Sequence, residues 1–115
     1  MKASEIRMIL SAEAFNDRGT DFEVECGFGC DLMSDVLAYV KDQAVLLTGL
    51  INPQVIRTAV MMDMICIVFV RSKKPTEEML ELARESGITL FSTDKRLYEA
   101  CGLLYSNGLD GKTEQ

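Results

Sequence analysis

Three observations predict a three-layer α/β/α fold around a mostly parallel central sheet of about four to five strands. Short, nearly all-apolar runs recur at Ala44–Thr48, Ile65–Val70 and Ile88–Phe91, the pattern of strands covered on both faces. A helix-bearing stretch follows each run and is long enough for a right-handed crossover to a parallel neighbour. The repeat length, about 20 residues, is that of one βα unit and not of a solenoid.

The elements follow in order. A helix begins near Ser4, a hydroxyl residue suited to an N-cap, and carries Ile6, Ile9 and Leu10 on one face. Ala12-Glu13-Ala14-Phe15 reads as a short edge strand, and Asn16 to Asp21 as a turn-rich loop. Phe22 to Gly27 alternates apolar and acidic residues, as a half-exposed strand would. From Asp31, a candidate cap, a helical stripe runs through Leu32, Val36, Leu37 and Val40. Asn52-Pro53 sets a capping residue before a proline at the first helical position, opening a helix to about Met62. The next helix, Thr76 to Ser86, places Glu77 and Glu78 in its first turn and closes on Gly87. The last runs from about Asp94 to Ser106, before Asn107-Gly108. Residues 1–110 are expected to form a single domain, with 111–115 a flexible tail.

Composition narrows the function. Twelve basic residues against 18 acidic ones give a net charge of −6, which argues against capture of a nucleic-acid backbone. With no histidine, Ser-His-Asp and Cys-His catalysis, His-containing zinc sites and His-based pH switches are excluded. The opening residues lack an apolar signal core, and every apolar run falls short of a membrane span. A cytoplasmic protein with no membrane partner is expected. Cys66 and Cys101 sit in strand and helix patterns as small hydrophobes of a reducing compartment.

Chemistry in open parallel sheets gathers outside the carboxyl ends of the strands, at a crevice where the strand order reverses. Four loops belong near that edge. They are Cys26–Asp31, Thr48–Asn52, Arg71–Lys74 and Ser92–Arg96, and they supply the candidate ligand residues Gly27, Gly29, Asp31, Thr48, Gly49, Asn52, Ser92 and Thr93. Gly27 and Gly29 would let a ligand approach the backbone, although the third glycine of a dinucleotide fingerprint is missing. Lys95 and Arg96 would set two positive charges in a helix's first turn, an arrangement that a bound anion would offset; a solvated basic turn is the plainer alternative. Arg71-Ser72-Lys73-Lys74 is a second candidate anion collar, or simply an exposed loop. Cys26 with Cys30, or Asp31 with Asp35, supplies too few ligands to assign a metal. No cofactor and no catalytic residue is assigned. Two helices, Val55–Met62 and Leu97–Tyr105, are apolar beyond one stripe, from which a homodimer or another protein partner is expected.

The run from Asp21 to Leu37, DFEVECGFGCDLMSDVL, resembles the signature of the DRTGG domain family. Thr48–Val55, Gly87–Thr93 and Tyr98–Tyr105 resemble it too, so the likeness extends from about Ser4 to Leu109. It implies a small α/β domain similar to the N-terminal domain of HPr kinase/phosphorylase, of the kind also found beside CBS domains in regulatory proteins. Asp21, Gly27, Asp31, Ser34 and Asp35 match the family pattern and carry whatever site the resemblance implies, which adds Ser34 and Asp35 to the candidate ligand residues. Phe22 stands where the family has arginine, Glu25 where it has threonine and Cys26 where it has the first glycine. No G-x-x-x-x-G-K-[ST] phosphate loop occurs, so kinase activity is not expected. The function expected is a non-catalytic regulatory or sensor domain that takes a small nucleotide or phosphorylated metabolite at the strand ends. The alternative is an interaction module working through an apolar helix without any ligand.

Overall fold

The computed structural model describes residues 1–17, 19–39 and 43–111. Along it run α1 (Ala3–Leu10), β1 (Glu13–Asn16), β2 (Cys26–Gly29), α2 (Met33–Tyr39), β3 (Ala44–Thr48), α3 (Pro53–Met61), β4 (Cys66–Phe69), α4 (Glu77–Ser86), β5 (Thr89–Ser92) and α5 (Leu97–Ser106). The sheet order is β1-β5-β4-β3-β2. β2, β3, β4 and β5 pair in parallel in their order along the chain, and β1 closes the far edge antiparallel to β5. The expected α/β fold with a mostly parallel five-stranded sheet is therefore observed.

Both faces of the sheet are covered, as the apolar strands require. On one face Val36, Val55, Ile56, Ala59, Met79 and Ala83 of α2, α3 and α4 pack against Leu46, Ile67, Phe69 and Leu90. On the other, Ile6, Leu10, Ala100 and Leu104 of α1 and α5 pack against Val45, Leu47, Val68 and Phe91. Alternate strand residues serve opposite layers, which is the period-2 geometry of a strand. Each fully buried Leu, Ile or Phe contributes about 1.5–3 kcal/mol by leaving water, and these side chains hold the three layers together.

Because three successive crossovers advance in one direction, α2, α3 and α4 share a face. The parallel strands never reverse their order, so the expected switch-point crevice has no counterpart among them. The rim at the carboxyl ends of β2 to β5 is instead a continuous row of four loops.

Several boundaries differ from the sequence reading, each for a local reason. α1 starts at Ala3, and Ser4 lies inside its first turn, where the Asp21 carboxylate accepts from both its backbone N–H and its hydroxyl. The strand expected over Phe22–Gly27 is Cys26–Gly29, because Val24 is drawn into backbone pairing with Met1. α2 opens at Met33 and buries Met33 and Val36, leaving Leu32 and Leu37 exposed; Val40 falls outside the described residues. Asp31 does not cap that helix, since its carboxylate turns to β3. α5 opens at Leu97, because Lys95 gives its N–H to Thr93 Oγ1 and its carbonyl to Arg71 N–H. Lys95 and Arg96 therefore precede the first helical turn. Other signals hold: Asn52 Oδ1 accepts from Gln54 N–H at 2.9 Å, Thr76 Oγ1 from Met79 N–H at 3.3 Å, and Gly87 ends α4 at φ 70°.

Candidate functional site at the strand-end rim

β2, β3 and β4 are adjacent, so the loops that leave them stand side by side. Asp31, just past β2, reaches across to the end of β3. Its Oδ1 accepts from Thr48 Oγ1 and from the Gly49 N–H, both at 2.8 Å. Thr48 Oγ1 in turn accepts from Leu50 N–H at 3.2 Å, which shapes the turn leading to α3. From the other side comes Arg71, just past β4. Its Nη2 lies 3.1 Å and its Nε 3.7 Å from where a Cβ on residue 49 would stand. A Cβ there would crowd the guanidinium and push it back by a few tenths of an ångström.

The Arg71 loop is unusual in its backbone. Val70 accepts from Lys73 N–H at 3.1 Å across a turn whose central residues, Arg71 and Ser72, both have positive φ, 56° and 57°. Turns of that handedness normally carry Gly or Asn. Here the conformation is held from outside. Arg71 N–H donates to Lys95 O and Ser72 N–H to Thr93 O, both at 2.8 Å, while Ser92 Oγ donates to Lys73 O at 2.6 Å. The turn thereby places the exposed Arg71 and Ser72 side chains at the rim, where glycine or asparagine would be usual.

The charge of this rim is opposite in sign to that of the whole chain. Arg71, Lys73, Lys95 and Arg96 gather in two laced loops of a chain whose net charge is −6. Lys95 lies 3.9 Å from the exposed Asp94, an ion pair of little strength in water. Lys74 is turned away, paired with Glu13 at 3.3 Å and lying over the Phe15 ring. The surface is shallow: Asp31, Arg71, Ser72, Lys73 and Arg96 are all exposed.

The sequence candidates separate into distinct groups. Asp31, Thr48 and Gly49 come together. Ser92 and Thr93 lie on the same rim but are buried pins, Thr93 Oγ1 donating to Leu10 O at 2.8 Å. Asn52 has its side-chain oxygen engaged in capping α3. Ser34 is exposed and Asp35 half-buried in the first turn of α2. Gly27 and Gly29 serve packing: Gly27 N–H donates to Asp110 O at 3.0 Å, and a Cβ on Gly29 would stand 2.6 Å from Cys101 Sγ. Asp21, matched to the family pattern, sits at the start of α1, its carboxyl held below the usual range first by the Ser4 hydroxyl and then by the Ser4 N–H.

The sequence offers Arg71 only as part of a candidate anion collar, not among the individual ligand residues. The available signal was an apolar strand run ending directly on Arg-Ser, with none of the usual turn residues between. Among the described residues no three Cys, Asp or Glu side chains gather as a metal cluster. Burial pushes the thiols of Cys66 and Cys101 up, which makes both poor nucleophiles at neutral pH. A cavity of about 640 Å³ opens at the opposite, amino-terminal ends of the strands between Glu25, Asp63, Met64 and Ser86, and touches none of the candidate residues.

The architecture has a solved counterpart. The CBS and DRTGG domains of the regulatory region of Clostridium perfringens pyrophosphatase, complexed with the activator diadenosine tetraphosphate, superpose with a TM-score of 0.75 at 18% identity. The fold is DRTGG-like. The match covers 89% of this chain and 45% of the pyrophosphatase chain, so this DRTGG-like chain spans less than half of that relative's length. No family model and no curated protein matches it by sequence. Among the described residues, no helix is long and apolar enough to cross a membrane.

Proposed function

We propose that this DRTGG-like domain is a non-catalytic regulatory module that binds a small nucleotide or phosphorylated metabolite at the carboxyl-end rim of its parallel strands. The observation that carries the reading is the cationic rim itself. Arg71, Lys73, Lys95 and Arg96 are held on two loops laced by three backbone and side-chain hydrogen bonds, in a chain that is otherwise acidic. Loops whose backbone is pinned in this way present their cations to phosphate oxygens without having to be ordered on binding. The pyrophosphatase region of like fold is regulatory and binds a nucleotide activator, and that region includes CBS domains as well. Regulation would follow by population shift, a ligand across the loops favouring one arrangement of the domain relative to its partners.

Thermal unfolding against a panel of nucleotides and sugar phosphates at about millimolar concentration tests this. A ligand at 100 times its Kd adds about 2.7 kcal/mol to stability, a readily measured rise in Tm. No shift with any member of the panel would refute ligand binding.

A second reading is favoured by α5. Tyr98 is 93% and Tyr105 69% exposed, and an apolar groove of about 500 Å³ runs between them past Gly102 and Leu103. A face this apolar suits a second copy of the chain or another protein. Tyr98 and Tyr105 are the probes for it, because Leu104 of the same helix is buried against the sheet. Tyr98→Asp with Tyr105→Asp should lower the mass measured by light scattering, and an unchanged mass would refute association through α5.

A further inference from the structure

We propose that Asp31 and Arg71 form a two-point site for a hydroxylated phosphate ester, the carboxylate taking sugar hydroxyls and the guanidinium the phosphate. The inference rests on the ligand-binding reading above and specifies its chemistry. Two groups of opposite charge, carried on loops from β2 and β4, converge on Gly49 at the end of the strand between them. They nevertheless form no ion pair with each other.

Each is anchored by one part and unspent in another. Asp31 uses Oδ1 for both Thr48 and Gly49, which orients the carboxylate and leaves Oδ2 without a partner among the described residues. Arg71 is fixed through its backbone, by the bond to Lys95 O and the positive-φ turn, and its guanidinium makes no hydrogen bond or ion pair among the described residues. Arginine forks onto two phosphate oxygens, and a carboxylate oxygen accepts from hydroxyls. A bare phosphate would satisfy Arg71 but meet repulsion from Asp31. A sugar phosphate or nucleotide satisfies both groups, since its hydroxyls stand between its anion and the carboxylate. The pair thus selects esters over the free ion, which Arg71 with the lysines alone would not do.

Calorimetric titration of the full chain with ribose 5-phosphate and with inorganic phosphate tests the assignment. Ribose 5-phosphate should bind at least about tenfold more tightly than phosphate. Arg71→Lys, which keeps the charge and loses the fork, should weaken ribose 5-phosphate by about tenfold. Asp31→Asn should bring the two ligands within about threefold of one another. If Asp31→Asn does not fold, wild-type protein titrated with 2,3-dideoxyribose 5-phosphate makes the same comparison, and affinity equal to that of ribose 5-phosphate overturns the inference. Phosphate esters that bind equally well to wild type and both variants also overturn it, and leave the rim-binding reading standing elsewhere on the rim. Failure of every nucleotide and sugar phosphate to bind wild type overturns both.

Discussion

The guanidinium of Arg71 lies against the backbone of Gly49, with Nη2 3.1 Å from the position a Cβ would take. The contact brings together a glycine on one strand end and a left-handed arginine on the next. Non-glycine residues in that conformation cost of order 1 kcal/mol, which the bonds to Lys95 and Thr93 offset here. Arg71→Gly should therefore raise stability by about 0.5–1 kcal/mol in urea unfolding while weakening phosphate-ester binding. A variant that is less stable than wild type would show that the turn carries no strain.

Gly29 is needed by packing. A Cβ there would stand 2.6 Å from Cys101 Sγ and 3.5 Å from Leu97 Cδ1, so Gly29→Ala should cost about 1–3 kcal/mol through overpacking of α5 on β2. Adding Cys101→Ala should recover a measurable part of that loss. Strict additivity of the two substitutions in a double-mutant cycle would mean that the clash is relieved some other way.

Asp31 ties the β2 loop to the end of β3. Asp31→Ala removes both hydrogen bonds on Oδ1, and because the side chain is exposed the loss should be modest, about 1 kcal/mol in urea unfolding. Asp31→Asn keeps an acceptor at the same place and should lose less. Equal losses in the two variants would show that the negative charge, and not the acceptor geometry, holds the loop.

Asp21 gives the domain an acid-side signature. Its carboxyl titrates below the usual value of 3.8, chiefly because the Ser4 hydroxyl and then the Ser4 N–H favour the charged form. A lowered folded-state pKa contributes stability that is present above the unfolded value and lost as pH falls through the folded one. Tm should thus fall more steeply below about pH 4 in wild type than in Asp21→Asn. Parallel curves from pH 6 down to about pH 2.5 would remove Asp21 from the acid transition.

The architecture was legible because β3, β4 and β5 are buried on both faces and a helix signal follows each of them. Ala44–Thr48 is buried throughout and had to read as a central strand, and Asn52-Pro53 marked the start of α3 to the residue. Boundaries failed where a distant partner overrode local pattern. Asp31 has every mark of a cap, but Thr48 and Gly49 outbid the helix for its carboxylate. Asp94 begins a helical pattern, yet Arg71 and Thr93 engage the Lys95 backbone and keep it out of the helix. At the site, Asp31, Thr48 and Gly49 were found from loop position alone. Arg71 is legible only as one cation of a candidate collar, since what singles it out is a backbone conformation that its residue type does not signal, and a glycine more than twenty positions away.

The order in which the strands pair has a kinetic corollary. β2 to β5 can zip together stepwise, each meeting the strand made just before it, whereas Glu13 must wait for Ser92 from the other end of the chain. Short-range closures form early and distant ones late, so the amino-terminal helix and its strand dock onto a sheet already assembled. In native-state hydrogen exchange, that leading segment should open at lower free energy than β3 and β4.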